Sequence, residues 1–421
     1  MRMRIPRPFR AYARPFPAEM VTSREGSAEV DPGEAGLTPA AIEAMWASAV
    51  TLYESGLHPA LSLCVRRKGK VVLDRAIGHV RGNAPDDPPG TPLVQATPRT
   101  LFNLFSASKC VTAMLVHILE ERGQLDLDAP VFEYIPEFAA HGKHKITIRH
   151  VLTHRAGVPN VPGVEISLDT AANPSAVVQK ICEAKPASEP GEKLAYHALT
   201  MGYIVGEIVE RVTKKDLRTL LYENILGPLK FEHLNYGVKP EEIPLVAENA
   251  FTGAPPFPPF SVMMEKSLGL PLQDAVKLSN DPRFLTGVVP SANIIATANE
   301  VSRYLQMLLQ GGELDGVRIM KEQTVRDAVR GQHHLEYDSF MNMPVRYGLG
   351  FMLGHRWFSL YGHDTHLAFG HIGFTAVTVW ADPERQVSAA LMTSGKPFIT
   401  PGQVLWFNVS RTVSRYCPKV G

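Results

Sequence analysis

Runs with strand character stand toward both ends of this 421-residue chain and are scarce in its middle, and that arrangement limits the folds open to it. Near the N-terminus, LSLCVRRKGKVVLDRAIG (61–78) holds two β-rich runs around Lys68-Gly69-Lys70, a hairpin signal in which Gly69 supplies the turn conformation. Toward the C-terminus come YGLGFML (347–353), a run ending near Phe369, and the pair FTAVTVWA (374–381) and QVSAALMTS (386–394), joined through Asp382-Pro383-Glu384-Arg385. From Leu125 to about Pro290 the pattern turns to helices and loops, among them LTMGYIVGEIVERVT (199–213) and the proline-rich FTGAPPFPPF (251–260). Hairpin-linked strands normally pair as antiparallel neighbours. The expected fold is therefore α/β of the α+β kind: a central antiparallel sheet made from both ends of the chain, flanked by helices, with a mainly helical region inserted. The expected boundaries are an N-terminal arm at 1–36, an α/β domain from 37–124 and 291–421, and the insertion at 125–290.

Helical spacing places a first helix over 38–55, with Thr38 as cap and Pro39 in the first turn. A second is opened by Ser106 and ends at Gly123. Two more are expected over 292–310 and 401–415. With 45% hydrophobic residues there is ample material for a core, and 43 basic against 42 acidic residues leave a net charge of +1. No overall field then draws the chain to nucleic acid or anionic lipid, and a small-molecule partner is expected. No apolar run approaches the roughly 20 residues that cross a bilayer. The basic, proline-rich opening MRMRIPRPFRAYARPFP reads as a disordered arm; because no apolar signal core follows it, a cytoplasmic location is expected. Cys64, Cys110, Cys182 and Cys417 are far apart, which favours free buried thiols over a disulfide scaffold or zinc finger.

The chemistry begins in FNLFSASKCVTAMLV (102–116), which contains the single Ser-x-x-Lys of the chain, Ser106 to Lys109. Three positions along a helix bring the two side chains to one face. A serine hydroxyl needs a base to become a nucleophile, and a lysine serves when burial lowers its pKa. The N-terminus of the helix adds free N–H groups and a positive dipole end where oxyanion charge would develop. Three further segments bear on the same chemistry: THRAGVP (153–159), PGEKLAYHALTMGYIVGEIVERVT (190–213) and FGHIGF (369–374). Tyr196 in the second is suited to relay a proton. In the third, Gly373 suggests a ligand close to the backbone.

These segments, in this order, resemble the group of class C β-lactamases, penicillin-binding proteins and family VIII carboxylesterases, among whose signatures are S-x-x-K and K-T-G. The resemblance covers about residues 38–400. It includes LTHRAG where the family has LTHTSG, Tyr196 in the Tyr-x-Asn position, SANIIATANEVSRYLQMLLQGGELDG, YGLGF, and FGHIG in the place of K-T-G. It implies that Ser106 forms the acyl-enzyme, that Lys109 helps deprotonate it, that Tyr196 shuttles the proton to the leaving group, and that the backbone N–H groups of Ser106 and Phe374 hold the oxyanion, with His371 and Gly373 beside the substrate. Two departures point from β-lactams toward small carboxylic esters. Ala198 stands where lactamases place an asparagine, and His371 replaces the lysine of K-T-G, with an imidazole largely neutral near pH 7. The expectation is thus a carboxylesterase of the family VIII type, able in principle to transfer acyl groups to alcohols. A lactamase or D-alanyl peptidase is the alternative within the fold, and a catalytically silent scaffold the alternative outside enzymes.

No cofactor or metal is expected: His363, His366 and His371 match no standard zinc spacing, and acyl transfer to serine needs no metal. His150 and His154 lack the Glu of an HExxH arrangement and read as structural. The cluster from Phe251 to Phe260 reads equally as wall of an acyl pocket or as plain loop.

Overall fold

The hairpin at Lys68-Gly69 forms as expected, both residues taking positive φ, 49° and 80°, between two long paired strands. The structure, a computed structural model, describes residues 12–160, 173–256, 258, 265, 270–398 and 403–420. Most of the basic opening and part of the 251–260 cluster lie outside the described residues. The strands used below are β1 (Thr22–Ser23), β2 (Ala60–Arg67), β3 (Lys70–Arg81), β4 (Val94–Gln95), β5 (Phe102–Asn103), β6 (Asn235–Tyr236), β7 (Ala250–Thr252), β8 (Ile294–Ala296), β9 (Met352–Leu353), β10 (Phe369–Gly373), β11 (Val377–Asp382), β12 (Val387–Thr393) and β13 (Gly395–Pro397). The principal helices are α1 (Pro39–Glu54), α2 (Ser108–Glu121), α3 (Thr200–Thr213), α4 (Ala298–Leu309) and α5 (Gln403–Tyr416).

The main sheet runs β1-β3-β2-β12-β11-β10-β9, with β4 on β3, and every pair is antiparallel. Its centre joins the two ends of the chain, for β12 pairs β2 with Ala390 opposite Cys64. Along β2 the side chains alternate between two cores. Leu61, Leu63 and Val65 pack with Met45 and Leu52 of α1 and Val409 of α5. Ala60 and Cys64 join Met114 of α2 and Leu305 of α4 on the other face. A sheet covered on both faces explains why its strands read as nearly continuous apolar runs. All four cysteines are buried and free. Among the described residues no helix is long and apolar enough to cross a membrane.

Four expected boundaries change. YGLGFML is not one strand: only Met352–Leu353 belong to the sheet, because Gly348 and Gly350 fold the segment against the helices, where a Cβ would lie 2.5 Å from the Ala328 carbonyl oxygen and 2.2 Å from Ala113 Cβ. The run expected to end near Phe369 instead begins there as β10, which turns at 374–376 to pair with β11, so FTAVTVWA becomes strand only from Val377. The helix expected over 292–310 starts only at Ala298, where Thr297 and Glu300 form a capping box, and residues 294–296 are strand β8. Ser106 does not open α2 directly but lies in a 3₁₀ turn, Phe105–Ala107, ahead of it.

Candidate active site

The chain enters the Ser106 turn from a small sheet ordered β5-β8-β6, in which Asn103 lies opposite Ile295. The Leu104 N–H donates to the Ile294 carbonyl at 2.9 Å, and the Ile294 N–H donates to Ser108 Oγ at 2.9 Å. Ser108 is thereby fully buried and engaged in the scaffold, which leaves half-buried Ser106 as the serine offered to a substrate. The turn carries an unusual backbone. Phe105, immediately before Ser106, has φ 47°, a conformation that costs a bulky residue about 1–3 kcal/mol and that here brings Asn103 Oδ1 within 2.9 Å of the Phe105 N–H.

From Ser108 to Leu119 every residue of α2 is buried, and Lys109 with them. Its Nζ donates to the carbonyls of Ala198 (2.6 Å) and Ser291 (3.3 Å) and reaches Ser106 Oγ at 3.4 Å. Among the described residues no carboxylate offsets the loss of hydration, and burial pulls the pKa down to about 7. The neutral amine keeps two N–H groups for the two carbonyls and turns its lone pair to the serine. Cys110 beside it is a different case: burial pushes its thiol up, so it holds no thiolate at neutral pH.

Tyr196 arrives on the loop before α3, with its ring 4.9 Å from Lys109 Nζ. Burial raises its phenol pKa, the Ser106 hydroxyl partly opposing the shift, and in the resting geometry the Tyr196 hydroxyl forms no hydrogen bond of normal geometry. The loop is pinned from two sides. The Tyr196 N–H donates to Asp338 Oδ1 at 3.1 Å, an oxygen that also accepts from the Phe340 and Met341 N–H groups, while Asp338 Oδ2 accepts from the Tyr347 hydroxyl at 3.3 Å. On the other side, the N–H groups of Ala195 and His197 donate to the carbonyl oxygen and Nδ1 of His154. The His154 ring lies 4.6 Å from that of Tyr196. His154 reads from sequence as structural, and it is fully buried as a support beneath Tyr196. Asp338, His197 and Ser291 go unnoticed in the sequence; no local pattern marks them, since each acts through long-range contacts.

His371, on β10, is buried with its ring 6.0 Å from that of Tyr196. Its Nδ1–H donates to the Ile372 carbonyl at 2.6 Å, which leaves Nε2 as an acceptor without a partner. Burial, with the nearby Lys109 charge, lowers its pKa to about 3, so the imidazole is neutral across the physiological range. Gly373 is required by the scaffold: a Cβ there would lie 2.1 Å from the Leu104 carbonyl oxygen, so the chain leading to Ser106 approaches it closely. Phe374 follows in the turn and packs on Phe105 with centroids 5.2 Å apart and the rings tilted by 36°. Ala198 contributes its carbonyl to Lys109 and nothing from its side chain. His366 packs on Arg346, whose Nη1 donates to Nδ1 at 3.0 Å, and among the described residues no three His, Cys, Asp or Glu side chains gather as a metal centre.

The family model described as Beta-lactamase matches residues 40–413. The chain is 30% identical over 311 residues, 69% of its length and 68% of the relative's, to "Esterase/beta-lactamase LipL" of Mycobacterium tuberculosis. Among solved structures it is similar to a penicillin-binding protein homologue from Caulobacter crescentus, with TM-score 0.78, 27% identity, and coverage of 90% of this chain and 99% of the other. A family VIII carboxylesterase shares the fold at TM-score 0.74 and 24% identity, covering 89% and 98%.

Proposed function

The chain belongs to the β-lactamase family, and from that premise we propose that it is a serine carboxylesterase of the family VIII type, acting on small neutral esters through a Ser106 acyl-enzyme. Family membership makes it a hydrolase of the β-lactamase fold; the finer reading rests on the site. One observation carries it: the position that in K-T-G would present an ammonium to a substrate carboxylate is held by His371, a buried imidazole with pKa about 3. Such a site has no cation there for a charged lactam, while the parts needed for acyl transfer are retained.

In this mechanism Lys109, as neutral amine, takes the proton of Ser106 as Oγ attacks the ester carbonyl. The oxyanion is held by the N–H groups of Ser106 and Phe374. Tyr196 passes a proton to the departing alkoxide as the C–O bond breaks, and is reprotonated from Lys109. Water, or an alcohol, then adds to the acyl carbon; its proton returns through the same residues as Ser106 leaves. No cofactor takes part. We place the enzyme in the cytoplasm, with a small ester as its partner.

The name of the mycobacterial relative keeps a lactamase reading in play, and one experiment separates the two. A panel of p-nitrophenyl esters of increasing acyl length is run beside a chromogenic cephalosporin, with wild type and Ser106→Ala. Ester turnover that vanishes in the variant supports the proposal. Turnover of the cephalosporin alone would replace it with a lactamase, turnover of neither with a silent scaffold, and labelling by a fluorophosphonate that survives Ser106→Ala would move the nucleophile elsewhere.

A further inference from the structure

A second lysine lies fully buried behind the Ser106 turn, and the acyl-transfer chemistry above makes no use of it. Lys396, on β13, donates from Nζ to the Thr393 carbonyl at 2.6 Å, and the same Nζ lies 4.8 Å from the centroid of the Phe105 ring. Among the described residues no carboxylate faces it, and burial lowers its pKa to about 7, so that it carries its charge at and below neutrality. The nearby titratable group is His58, whose Nδ1 lies 3.2 Å from the Gly395 carbonyl oxygen and whose pKa burial holds at about 3, so that it is uncharged. A buried cation without a counter-charge is expensive to keep, and an aromatic face is one of the few groups that favours it.

The ring it meets belongs to the residue before the candidate nucleophile, in the left-handed conformation already noted. Asn103 fixes the N–H of Phe105, but the ring is held by Phe374 and Lys396. Lys396 is itself firmly placed. β13 pairs in parallel with β7, and a Cβ on Gly395 would lie 1.8 Å from the Leu57 carbonyl oxygen, so the strand has no room to slide. The Thr393 hydroxyl donates to the Ala376 carbonyl at 3.1 Å, which ties the same anchor to the turn containing Phe374.

We propose that Lys396 is a positioning residue for acyl transfer: its Nζ, anchored on Thr393, holds the Phe105 ring and through it the backbone that presents Ser106 to Lys109 and to the oxyanion site. The proposal rests on Ser106 being the nucleophile. Lys396 touches no substrate, so its loss should slow the attack of Ser106 and leave ester binding alone.

The test compares Lys396→Met, Lys396→Gln, Lys396→Arg and Phe105→Leu, and combines Lys396→Met with Phe105→Leu. Readouts are melting temperature, kcat and KM for a p-nitrophenyl ester, and the rate of fluorophosphonate labelling. Lys396→Met should lower kcat and the labelling rate about tenfold with KM changed by no more than about twofold, and Lys396→Arg, which keeps the cation, should recover most of the loss. In the Phe105→Leu background, where no ring remains to be held, Lys396→Met should cost nothing more. Lys396→Gln, which keeps a donor for Thr393 without the charge, should behave like Met and replaces it if the Met variant fails to fold. Wild-type labelling in both neutral variants, or an undiminished effect on the Phe105→Leu background, would overturn the proposal while leaving Ser106 untouched. Labelling that survives Ser106→Ala would instead overturn the reading on which it rests.

Discussion

The shortest hydrogen bond of Lys109 Nζ, 2.6 Å, goes to the main-chain carbonyl of Ala198, whereas Ser106 Oγ is 3.4 Å away. The lysine is thus oriented by backbone, and its serine contact is free to change as the proton moves. With a pKa lowered to about 7, Lys109 is protonated below neutrality and becomes a competent base as pH rises. Accordingly kcat/KM for a neutral ester should climb about tenfold per pH unit below 7 and level off above it. Lys109→Arg, charged at all these pH values, should lose about 10²–10⁴ in kcat. A flat profile between pH 5.5 and 8 would remove Lys109 from the role of base.

Because the Tyr196 hydroxyl has only the Ser106 hydroxyl beside it and makes no hydrogen bond of normal geometry at rest, removing it strands no group of the scaffold. Tyr196→Phe should therefore melt at or above the wild-type temperature while kcat falls at least about a hundredfold with little change in KM. A variant that lost stability in proportion to activity would point to a packing role.

Asp338 is the buried carboxylate that holds the Tyr196 backbone. Asp338→Ala strands four donors, the N–H groups of Tyr196, Phe340 and Met341 and the Tyr347 hydroxyl, and should cost at least about 1–3 kcal/mol in unfolding free energy together with a fall in kcat. Asp338→Asn keeps one acceptor oxygen for the three N–H groups and should retain most of both. Urea titrations of the two variants, read beside their kcat values, check the order.

Esters with a good leaving group should exceed a cephalosporin in kcat/KM by at least about a hundredfold, or roughly 2.7 kcal/mol of transition-state stabilisation. The neutral, buried His371 is the reason. Ala198→Asn with His371→Lys should narrow the gap, since the 198 carbonyl, which serves Lys109, survives the change of side chain. Loss of esterase activity without any gain on the cephalosporin would show that placement rather than residue type sets the preference.

The sheet built from both chain ends was legible because its strands, buried on two faces, keep an apolar signature that needs no neighbour to interpret. Ser106, Lys109 and Tyr196 could be picked out because they sit in short motifs, and the structure brings them together. The errors arose where tertiary contacts override a local pattern. YGLGFML looks like a strand until Ala113 and Ala328 press on its glycines. The run expected to end near Phe369 starts there instead, because β10 gains its partner β11 only across the turn at 374–376. Asp338 and Lys396 carry no local mark at all: each is a lone charged residue whose meaning comes from a partner more than 100 positions away, Tyr196 for one and Phe105 for the other.

The pairing of β2 with β12 has a consequence for the birth of the enzyme. Cys64 emerges from the ribosome 326 residues before its partner Ala390, so the first hairpin must wait, with one long edge unpaired, until that intervening stretch has been made. Closing so long a loop is slow, and an open apolar edge is an invitation to aggregate. The serine and lysine of residues 106 and 109 are translated early, yet β10, with His371, joins the sheet only through strands made after it. On the proposed mechanism acyl chemistry is thereby withheld until β12 has been made, and a nascent chain stalled before residue 387 should carry a serine that does not yet react.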